Sequence, residues 1–444
     1  MCRMQKSYAI VGTGGRAAMF IDAIGGAYRD SAQLVGFCDP NSTRMAYYNG
    51  RLQDEFGLDP VPTYGTESFD QMIKQQRPST VIVCTIDATH HQYIVRAMDL
   101  GCDVITEKPM TTDGLKAQMI IDAINRTGRC LRVTFNYRYM PLISKVRHLV
   151  QSGTIGTPLA VDFSWVLDTQ HGADYFRRWH REKDKSGGLL VHKATHHFDA
   201  INWWIGAKPS TVFAMGELKF YGMENARARG ESYSYDRYTG HSEAEGDPFA
   251  LFLDHGKEQL YSTSKMKALY LDAEKDDGYV RDRNVFGENI TIEDTMTVMV
   301  RYRNGVLLNY SLLAYCPWEG YRIAITGTRG RIEVYDKHGS HIIAGQSDRE
   351  LAAAMEKGHQ QTLTVFPMFG EPVEMDVPKG EGAHGGGDSV LLKDIFSTNP
   401  PPDPLQRAAT HIDGAASILI GISANESIRT GHPVQCDSLL KLPD

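Results

Sequence analysis

The stretch Tyr8-Ala9-Ile10-Val11-Gly12-Thr13-Gly14-Gly15-Arg16-Ala17 decides the fold of the first part of the chain. The apolar strand Tyr8–Val11 leads into a glycine turn that opens a helix over 18–24. Glycines permit a tight turn and the close approach of a diphosphate, and the helix N-terminus directs free N–H groups at it. The stretch therefore predicts a dinucleotide-binding turn whose cofactor contacts are Gly12, Gly14, Gly15, Arg16 and Ala17.

Asp39 follows the next predicted strand, Leu34–Cys38. A carboxylate at this position hydrogen-bonds the ribose hydroxyls of the cofactor and repels a 2′-phosphate, which favours NAD over NADP. The alternative is that Asp39-Pro40 is only a turn. Arg44 lies close enough in sequence to leave some use of NADP open.

Short β-branched runs alternate with helical patterns through the first third of the chain, as a parallel sheet with crossover helices requires. The remaining predicted strands are Thr80–Thr85, Asp103–Thr106 and Leu131–Asn136. A helix is predicted over Thr112–Thr127. Its predicted buried face holds Leu115, Met119, Ile120 and Ile124. The pattern predicts a doubly wound Rossmann domain over residues 1–141.

Beyond residue 141 the pattern changes to long alternating strands and hairpins, for example Thr295–Tyr302 and Val306–Leu313 around Asn304-Gly305. This change predicts an α+β second domain over 142–444 with a large, mainly antiparallel open sheet. The whole chain is then an α/β protein of two domains.

Two features interrupt the second domain. Tyr221–Asn289 has weak periodicity, so an insertion near 221–290 is expected. Asp403 and Pro404 have the residue types of a helix start, which predicts a C-terminal helix near 404–430.

The 47 Lys and Arg residues against 54 Asp and Glu give the 444-residue chain a formal net charge of −7. An acidic chain has no bulk attraction for phosphate backbones or anionic lipids, so neither nucleic acid nor a membrane is an expected partner. No apolar run approaches the about 20 residues that cross a bilayer, and residues 1–6 lack a signal-peptide core, so a cytoplasmic protein is expected. Seven scattered cysteines without a CxxC pair argue against disulfides and a cysteine zinc site.

Several further motifs are spread along the chain. They are Glu107-Lys108-Pro109 after an apolar strand, His90 after Thr85-Ile86-Asp87, the run Asn136–Pro141, Gly187-Gly188 through Asp199, Glu293-Asp294-Thr295, and Gly327–Gly330. Together they resemble the Gfo/Idh/MocA oxidoreductases over nearly the whole chain. The resemblance implies a carbohydrate or cyclitol substrate and a homodimer or homotetramer. It also adds four predicted cofactor contacts, namely Thr85, His90, Glu107 and Lys108.

By this resemblance Lys108 lies beside the nicotinamide and the reacting hydroxyl. A residue at the carboxyl end of a parallel strand points into the crevice where ligands bind, and a cation there stabilises a developing alkoxide. The alternative is an ordinary surface lysine at a turn.

The segment Gly187–Asp199 matches the family pattern Asp-x-Gly-x-His-x-x-Asp and gives His196 the place of the general base. A histidine titrates near neutrality, so it can accept the hydroxyl proton while hydride leaves. His192 and Ala194 replace the first aspartate and the glycine of the pattern. His192 and His196 are four residues apart in a predicted helix over 189–204 and would share one face as catalytic residues. No metal is predicted there, because the third ligand and the catalytic glutamate of a zinc site are missing.

Further residues are predicted around the substrate. They are Tyr137 as a catalytic acid or base, and Arg138, Arg177, Arg178, Trp179, Lys193, His197 and Asp199 as substrate contacts. Aromatic faces stack on sugar rings and guanidinium groups bind anions, so the stretch 175–181 suggests a pocket for an anionic sugar. A solvated basic turn is the alternative for that stretch, and core packing is the alternative for the tyrosine. A structural or rim position is the alternative for His197, and stabilisation of the helix is the alternative for Asp199.

Three functions remain open on the sequence. The leading hypothesis is an NAD-dependent oxidoreductase that transfers hydride between a sugar, cyclitol or glycoside hydroxyl and nicotinamide, with NADP the less expected cofactor. The second is a redox-neutral NAD-dependent glycoside hydrolase that oxidises, eliminates, hydrates and re-reduces, on an anionic glycoside such as a uronate or sulfosugar. The third is a regulatory protein that binds NAD without catalysis, which the presence of Lys108 and His196 disfavours.

Overall fold

The computed structural model describes residues 5–254, 264–339, 357–378, 380 and 384–443. The chain forms two compact units. Unit 1 draws on residues 1–141, 268–279 and 379–415, and unit 2 on 142–267, 280–378 and 416–444. Unit 1 is therefore discontinuous in sequence, because two later stretches of the chain return to it.

The regular elements of the described residues alternate through both units. The strands are β1 (Lys6–Val11), β2 (Ala32–Cys38), β3 (Thr63–Tyr64), β4 (Thr80–Val83), β5 (Asp103–Thr106), β6 (Leu131–Val133), β7 (Pro158–Asp168), β8 (Pro209–Glu217), β9 (Thr295–Tyr302), β10 (Leu307–Cys316), β11 (Gly320–Gly327), β12 (Gly330–Lys337), β13 (Gln360–Pro367), β14 (Val373–Glu374), β15 (Ala409–Thr410) and β16 (Val434–Gln435). The helices are α1 (Ala17–Gly25), α2 (Ser42–Phe56), α3 (Phe69–Gln76), α4 (His90–Asp99), α5 (Gly114–Thr127), α6 (Pro141–Gln151), α7 (His171–Arg177), α8 (Lys183–Ser186), α9 (Leu189–His192), α10 (Thr195–Ile205), α11 (Met223–Ala228), α12 (Ser264–Met266), α13 (Glu274–Asp277), α14 (Gly387–Phe396) and α15 (His411–Thr430).

Unit 1 contains a seven-stranded sheet in the order β15-β6-β5-β4-β1-β2-β3. Strands β1 to β6 pair in parallel, and β15 pairs antiparallel with β6. Central residues such as Ile10 and Ile82 are fully buried, as expected when helices cover both faces of a parallel sheet. The strand order reverses between β1 and β4, and ligands bind outside the carboxyl ends of strands at such a point. The predicted doubly wound fold is confirmed.

All five predicted strands of this unit are present, but two end earlier than expected. The predicted strand Thr80–Thr85 ends at Val83, and Leu131–Asn136 ends at Val133. At each carboxyl end the chain leaves the sheet: Asn136 begins a 3-10 helix, Asn136–Tyr139. The residues beyond the two strand ends therefore lie at the edge where a ligand would bind.

Helix α5 buries a different face from the predicted one. Its buried residues are Ala117, Ile120 and Ala123. Leu115 and Met119 are 82% and 48% exposed, so their placement in the core was wrong. Two alanines let the backbone of α5 approach its neighbours closely, and this packing sets the rotation of the helix more strongly than the largest side chains do.

Unit 2 contains a nine-stranded sheet in the order β14-β13-β12-β11-β7-β10-β9-β8-β16. Its strand pairs are antiparallel except for β7 with β10. Burial alternates along β9, with every second residue buried and those between exposed or partly exposed, so one face of the sheet is covered and the other is open. The predicted large, mainly antiparallel open sheet is confirmed.

The last long helix begins later than predicted. The carboxylate of Asp403 accepts hydrogen bonds from the backbone N–H and the guanidinium of Arg407, which closes a local turn. Residues 409–410 then pair with β6. The carboxylate of Asp413 accepts from the N–H and hydroxyl of Thr410 at 2.8 Å each. Pairing with the sheet edge therefore moves the helix start from the predicted position near 404 to His411.

The predicted insertion near 221–290 holds only short helices among its described residues. Its residues 268–279 belong to unit 1, and the others belong to unit 2. Among the helices formed by described residues, none has the length and apolar character that crossing a membrane needs.

Candidate active site

The glycine turn lies at the carboxyl end of β1 in unit 1. Gly12 has a φ of +86°, and a Cβ on it would lie 2.6 Å from backbone atoms of Cys84 and Thr85. A Cβ on Gly14 would meet nothing within 4 Å. Position 12 therefore requires glycine for its backbone conformation and its close contact with residues 84 and 85. Gly14 instead leaves open space in front of the N-terminus of α1. An open approach to a helix N-terminus is what a dinucleotide diphosphate needs, and the binding roles of these residues and of Ala17 stay predictions.

Asp39 is fixed at the carboxyl end of β2. The N–H groups of Thr13 and Asn41 donate to its two carboxylate oxygens at 2.5 and 2.8 Å. Only 4% of Asp39 is exposed, and burial raises the pKa of this carboxyl despite the two donors. Each oxygen keeps a second lone pair, so Asp39 can still accept a bond from a ribose hydroxyl.

Arg16 links the glycine turn to the ends of neighbouring strands. Its Nε lies 3.0 Å from Oε1 of Glu107, and its Nη2 lies 3.5 Å from Oδ1 of Asp388. Thr134 donates to Oε1 of Glu107 at 2.8 Å, and Asn136 donates to Oδ1 of Asp388 at 2.7 Å. Arg16 and Glu107 therefore position the turn against β5 and β6.

Asp388 had not been predicted as part of the site. It lies in the first turn of α14, far along the chain from the glycine turn. The local signal was the run Gly385-Gly386-Gly387, since such a run favours a backbone with positive φ next to a functional residue. The structure gives φ values of +56° and +84° at Gly385 and Gly386.

The residues of the Glu-Lys-Pro turn lie at the carboxyl end of β5, and their roles beside cofactor and substrate stay predictions. Lys108 directly follows β5 and is half-buried, and its peptide bond to Pro109 is cis. The two ring nitrogens of His90 lie 2.9 Å from the carbonyl oxygen of Pro109 and 3.0 Å from that of Thr85. Burial lowers the pKa of His90. His90 therefore ties the turn that carries Lys108 to the end of β4.

The 3-10 helix after β6 carries Tyr137 and Arg138, both buried. The guanidinium of Arg138 is 2% exposed and pairs with Oδ1 of Asp413 at 2.9 Å. The burial and pairing of this guanidinium favour a structural role, and its role as a substrate contact stays a prediction.

In unit 2, the predicted helix over 189–204 is two helices. The carbonyl of Leu189 accepts from the N–H groups of both Lys193 and Ala194, at 3.0 and 2.8 Å. This wider turn ends α9 at His192, and α10 begins at Thr195. The prediction that His192 and His196 share one helix face was therefore wrong.

His192 and His196 have different surroundings. The ring of His192 meets His180 at 4.1 Å and Tyr175 at 5.6 Å between centroids, both edge to face. Trp179 stacks on His180 at 3.6 Å. His196 is 4% exposed in the first turn of α10. Within the described parts of the chain, no group of three or more His, Cys, Asp or Glu residues could hold a metal ion.

The two neighbouring arginines of the basic stretch are held by the protein itself. Arg177 donates through Nε and Nη2 to the carbonyl oxygen of Phe249, at 3.0 and 2.7 Å, and is 3% exposed. Nε of Arg178 lies 3.0 Å from Oδ2 of the buried Asp174. These contacts tie α7 to its surroundings and favour a structural role for Arg177, whereas the substrate-binding roles of both arginines stay predictions.

Lys193 and His197 pack on the same tryptophan. The ring of His197 stacks on Trp165 at 4.2 Å, and Nζ of Lys193 lies 4.8 Å from the centre of that ring. Nδ1 of His197 lies 2.7 Å from the hydroxyl of Tyr310. His197 and Asp199 are each 1% exposed. This burial favours a structural role for both, whereas Lys193 brings a cation beside the aromatic ring.

Sequence reasoning missed a cluster of titratable residues at the ends of β7 and β12 and the start of β11. This carboxylate–histidine cluster consists of Asp168, His171, Glu319, Asp336 and His338. Nδ1 of His171 lies 2.9 Å from Oε1 of Glu319, and His338 lies 3.9 Å from the same oxygen. No local motif connects these residues, because three separate strands bring them together.

The cluster separates the pKa values of two buried carboxyls. Burial raises the pKa of Glu319, but the charges of His171, Lys193 and His338 outweigh it and lower the value to about 2. Burial and the nearby Glu319 raise the pKa of Asp168. Groups with pKa values pushed apart in this way are typical of acid and base pairs.

The cluster is contiguous with the α9–α10 turn. Nε2 of His171 lies 3.1 Å from the hydroxyl of Tyr175, whose ring meets His192. The α9–α10 turn of unit 2, which contains Lys193, is therefore connected to the carboxylate–histidine cluster through the ring of Tyr175.

The sequence matches two family models over almost its whole length. Residues 6–135 match the model described as "Oxidoreductase family, NAD-binding Rossmann fold", and residues 147–436 match "Oxidoreductase family, C-terminal alpha/beta domain". The chain belongs to the Gfo/Idh/MocA family of oxidoreductases. The resemblance inferred from the sequence motifs is thereby confirmed.

Individual proteins are also similar to this chain. The oxidoreductase YteT of Bacillus subtilis is 34% identical over 98% of this chain and 99% of its own. Inositol 2-dehydrogenase of Rubrobacter xylanophilus is 26% identical over 47% of this chain and 54% of its own. The crystal structure of the aldose-aldose oxidoreductase from Caulobacter crescentus aligns with a TM-score of 0.61 over 97% of this chain and all of that one, at 16% identity, and shows a shared fold.

Proposed function

We propose that this protein is an NAD-dependent dehydrogenase that oxidises a hydroxyl group of a sugar, cyclitol or glycoside. The observation that carries the proposal is the carboxyl edge of the sheet in unit 1. There the open space at Gly14, the fixed carboxylate of Asp39 and the half-buried Lys108 follow β1, β2 and β5. A bound dinucleotide fits this edge, and Lys108 supplies the cation that an alkoxide needs.

The substrate class rests on two supports. One relative of this chain is an inositol 2-dehydrogenase, which shares 26% of aligned residues. The second support is the family resemblance carried by the sequence motifs, which implies a carbohydrate or cyclitol substrate.

In the proposed reaction His196 accepts the proton of the substrate hydroxyl, and Lys108 stabilises the oxygen as negative charge develops on it. The hydride of the same carbon passes to the nicotinamide, which is the chemistry that the bound cofactor supplies. The substrate loses two electrons and becomes a ketone or a lactone. His90 and Glu107 act as positioning residues, because their bonds hold the Lys108 turn and Arg16.

Two variants test these roles. Lys108→Met and His196→Gln should each lower the rate of NADH formation by about 10²–10⁴-fold, while NAD still binds. The matched controls Lys74→Met and His148→Gln alter exposed residues and should leave the rate unchanged. NADH is followed by absorbance with a panel of inositols, aldoses and glycosides. Full activity of both catalytic variants would show that the assigned roles are wrong.

One observation favours a second candidate, the redox-neutral NAD-dependent glycoside hydrolase. Expulsion of an aglycone by elimination needs acid and base groups beyond those of a dehydrogenase. The pKa values of Asp168 and Glu319 are shifted in opposite directions, so the carboxylate–histidine cluster could supply both.

One incubation separates the two candidates. The protein is mixed with NAD and chromogenic glycosides in deuterated water, and NADH and aglycone are followed together. NADH that accumulates without aglycone supports the dehydrogenase. Aglycone release without net NADH, with deuterium at the carbon beside the oxidised one, supports the hydrolase.

A homodimer or homotetramer through the open face of the nine-stranded sheet is part of the proposal. Met215, Met299 and Leu307 are 68%, 52% and 50% exposed on strands of that sheet. Apolar side chains on an open sheet are typical of an interface between copies. Sedimentation of the purified protein should show a species larger than the 49.5 kDa chain.

A further inference from the structure

No role for the insertion near 221–290 follows from its sequence, but one part of it belongs to unit 1, the unit with the Rossmann fold. We refer to residues 268–279 as the returning segment. Leu269 is fully buried in the core formed by β1, β2, α1 and α2. The segment is therefore anchored inside unit 1 and not only laid on its surface.

The returning segment covers the N-terminus of α2, which follows Asp39. The side chain of Asn41 donates to the carbonyl oxygen of Ala273 at 2.8 Å. The hydroxyl of Ser42 and the N–H of Thr43 donate to Oδ2 of Asp276, at 2.9 and 2.8 Å. Asp276 thus places a carboxylate at the positive end of this helix, and the backbone donor lowers its pKa.

The same segment also reaches the glycine turn. The hydroxyl of Tyr270 accepts a hydrogen bond from the N–H of Gly15 at 3.1 Å. A Cβ on Gly15 would lie 2.8 Å from that hydroxyl. The segment therefore extends from the turn expected to hold the diphosphate to the helix start beside the ribose position.

Arg44 is the residue that the sequence offers to a 2′-phosphate. In the structure its Nε donates to the carbonyl oxygen of Leu269 at 2.9 Å, and its Nη1 pairs with Oδ2 of Asp277 at 2.7 Å. Arg44 is 8% exposed. Its positive charge is thus already neutralised by the returning segment, close to two more carboxylates, Asp39 and Asp276.

We propose that the returning segment selects NAD over NADP, with Asp277 withdrawing Arg44 from the 2′-phosphate. A 2′-phosphate carries about two negative charges, and an arginine pairs with it through two donors at once. In Arg44 the Nε and Nη1 atoms are occupied and Nη2 is buried, so the guanidinium presents no exposed pair of donors to the phosphate, and the nearby carboxylates repel it. This inference rests on the proposed cofactor role of unit 1 but not on the reaction or its substrate.

Binding of NADH and NADPH, measured by fluorescence without substrate, tests the inference. The wild-type protein should bind NADH at least about tenfold more tightly. Asp277→Asn should reduce this ratio about tenfold by releasing Arg44, and most of the change should be tighter NADPH binding. The matched control Asp54→Asn removes one carboxylate from the exposed side of α2 and should leave the ratio unchanged.

A double variant identifies the responsible group. Arg44→Gln combined with Asp277→Asn should restore the wild-type ratio, because the released cation is then absent. The inference is overturned by an unchanged ratio in Asp277→Asn, by a gain that persists in the double variant, or by a wild-type protein that prefers NADPH. Failure to bind either dinucleotide would overturn the proposed function as well, so the two failures are distinguishable.

Discussion

The glycine turn of unit 1 and the carboxylate–histidine cluster of unit 2 are built in opposite ways. The turn occupies one short stretch of sequence, and Gly12 is required there because its Cβ would collide with the backbone after β4. The cluster brings together Asp168 from β7, Glu319 from the turn before β11 and Asp336 from β12. The glycine turn is required by the local backbone conformation, whereas the cluster results from the way the sheet brings distant residues together. Only the first leaves a motif that can be recognised in the sequence.

The two regions also shift the pKa of a buried carboxyl in opposite directions. Asp39 is held by backbone N–H donors, and burial raises its pKa. Glu319 is surrounded by cationic side chains that lower its pKa to about 2. At neutral pH the ionised carboxylate of Asp39 therefore lowers the free energy of unfolding, whereas that of Glu319 raises it.

The largest effect should come from the glycine turn. Gly12→Ala adds a Cβ 2.6 Å from backbone atoms at a φ of +86°, so we expect a loss of about 3–5 kcal/mol in the free energy of unfolding. The matched control Gly14→Ala should leave this free energy within about 0.5 kcal/mol but weaken NAD binding, because its methyl enters the open space. Urea unfolding and NADH titration measure the two effects. Equal stability of both variants would contradict the backbone requirement.

The next effect should come from the cluster. Glu319→Gln leaves His171, His338 and Lys193 without their shared carboxylate, so we expect a loss of about 3 kcal/mol in unfolding free energy. Glu333→Gln removes an exposed carboxylate from β12 and should change it by less than about 0.5 kcal/mol. A wild-type unfolding midpoint in Glu319→Gln would show that the cluster does not stabilise unit 2.

The pH dependence of that loss should follow the shifted pKa values. The pKa of Glu319 is lowered from 4.5 to about 2, so its contribution is full above about pH 5 and is lost as the pH falls towards 2. The pKa of His338 is raised above 6.5 by Asp336, although burial lowers it, so its contribution is lost as the pH rises above that value. The stability difference between wild type and Glu319→Gln should therefore shrink below pH 4. A constant difference would rule out this ionic origin.

The smallest effect on stability should come from Asp39→Asn. One N–H bond is lost, but the desolvation of a buried charge is relieved, so the free energy of unfolding should change by less than about 1 kcal/mol. NAD affinity should fall about tenfold or more, because the ribose loses a charged acceptor. Isothermal titration measures the affinity. An unchanged NAD affinity would show that Asp39 does not bind the ribose.

Parts of the fold were readable because they repeat over short distances. Parallel strands such as Thr80–Val83 are continuous apolar runs, and β9 alternates buried with more exposed residues. The same reasoning failed where packing decides: α5 turned Leu115 to solvent, and the chain after Asp403 paired with β6 before becoming a helix.

The sequence by itself determined the Rossmann turn, the two-domain family and the Lys108 turn, because each depends on backbone constraints that span few residues. The tertiary structure decided that Arg138 and Arg177 are buried and hydrogen-bonded within their own units, that α9 ends at His192, and that residues 268–279 return to neutralise Arg44. These outcomes depend on side chains far apart in the chain. Such contacts carry no local period, so they become visible only when the packed structure brings the residues together.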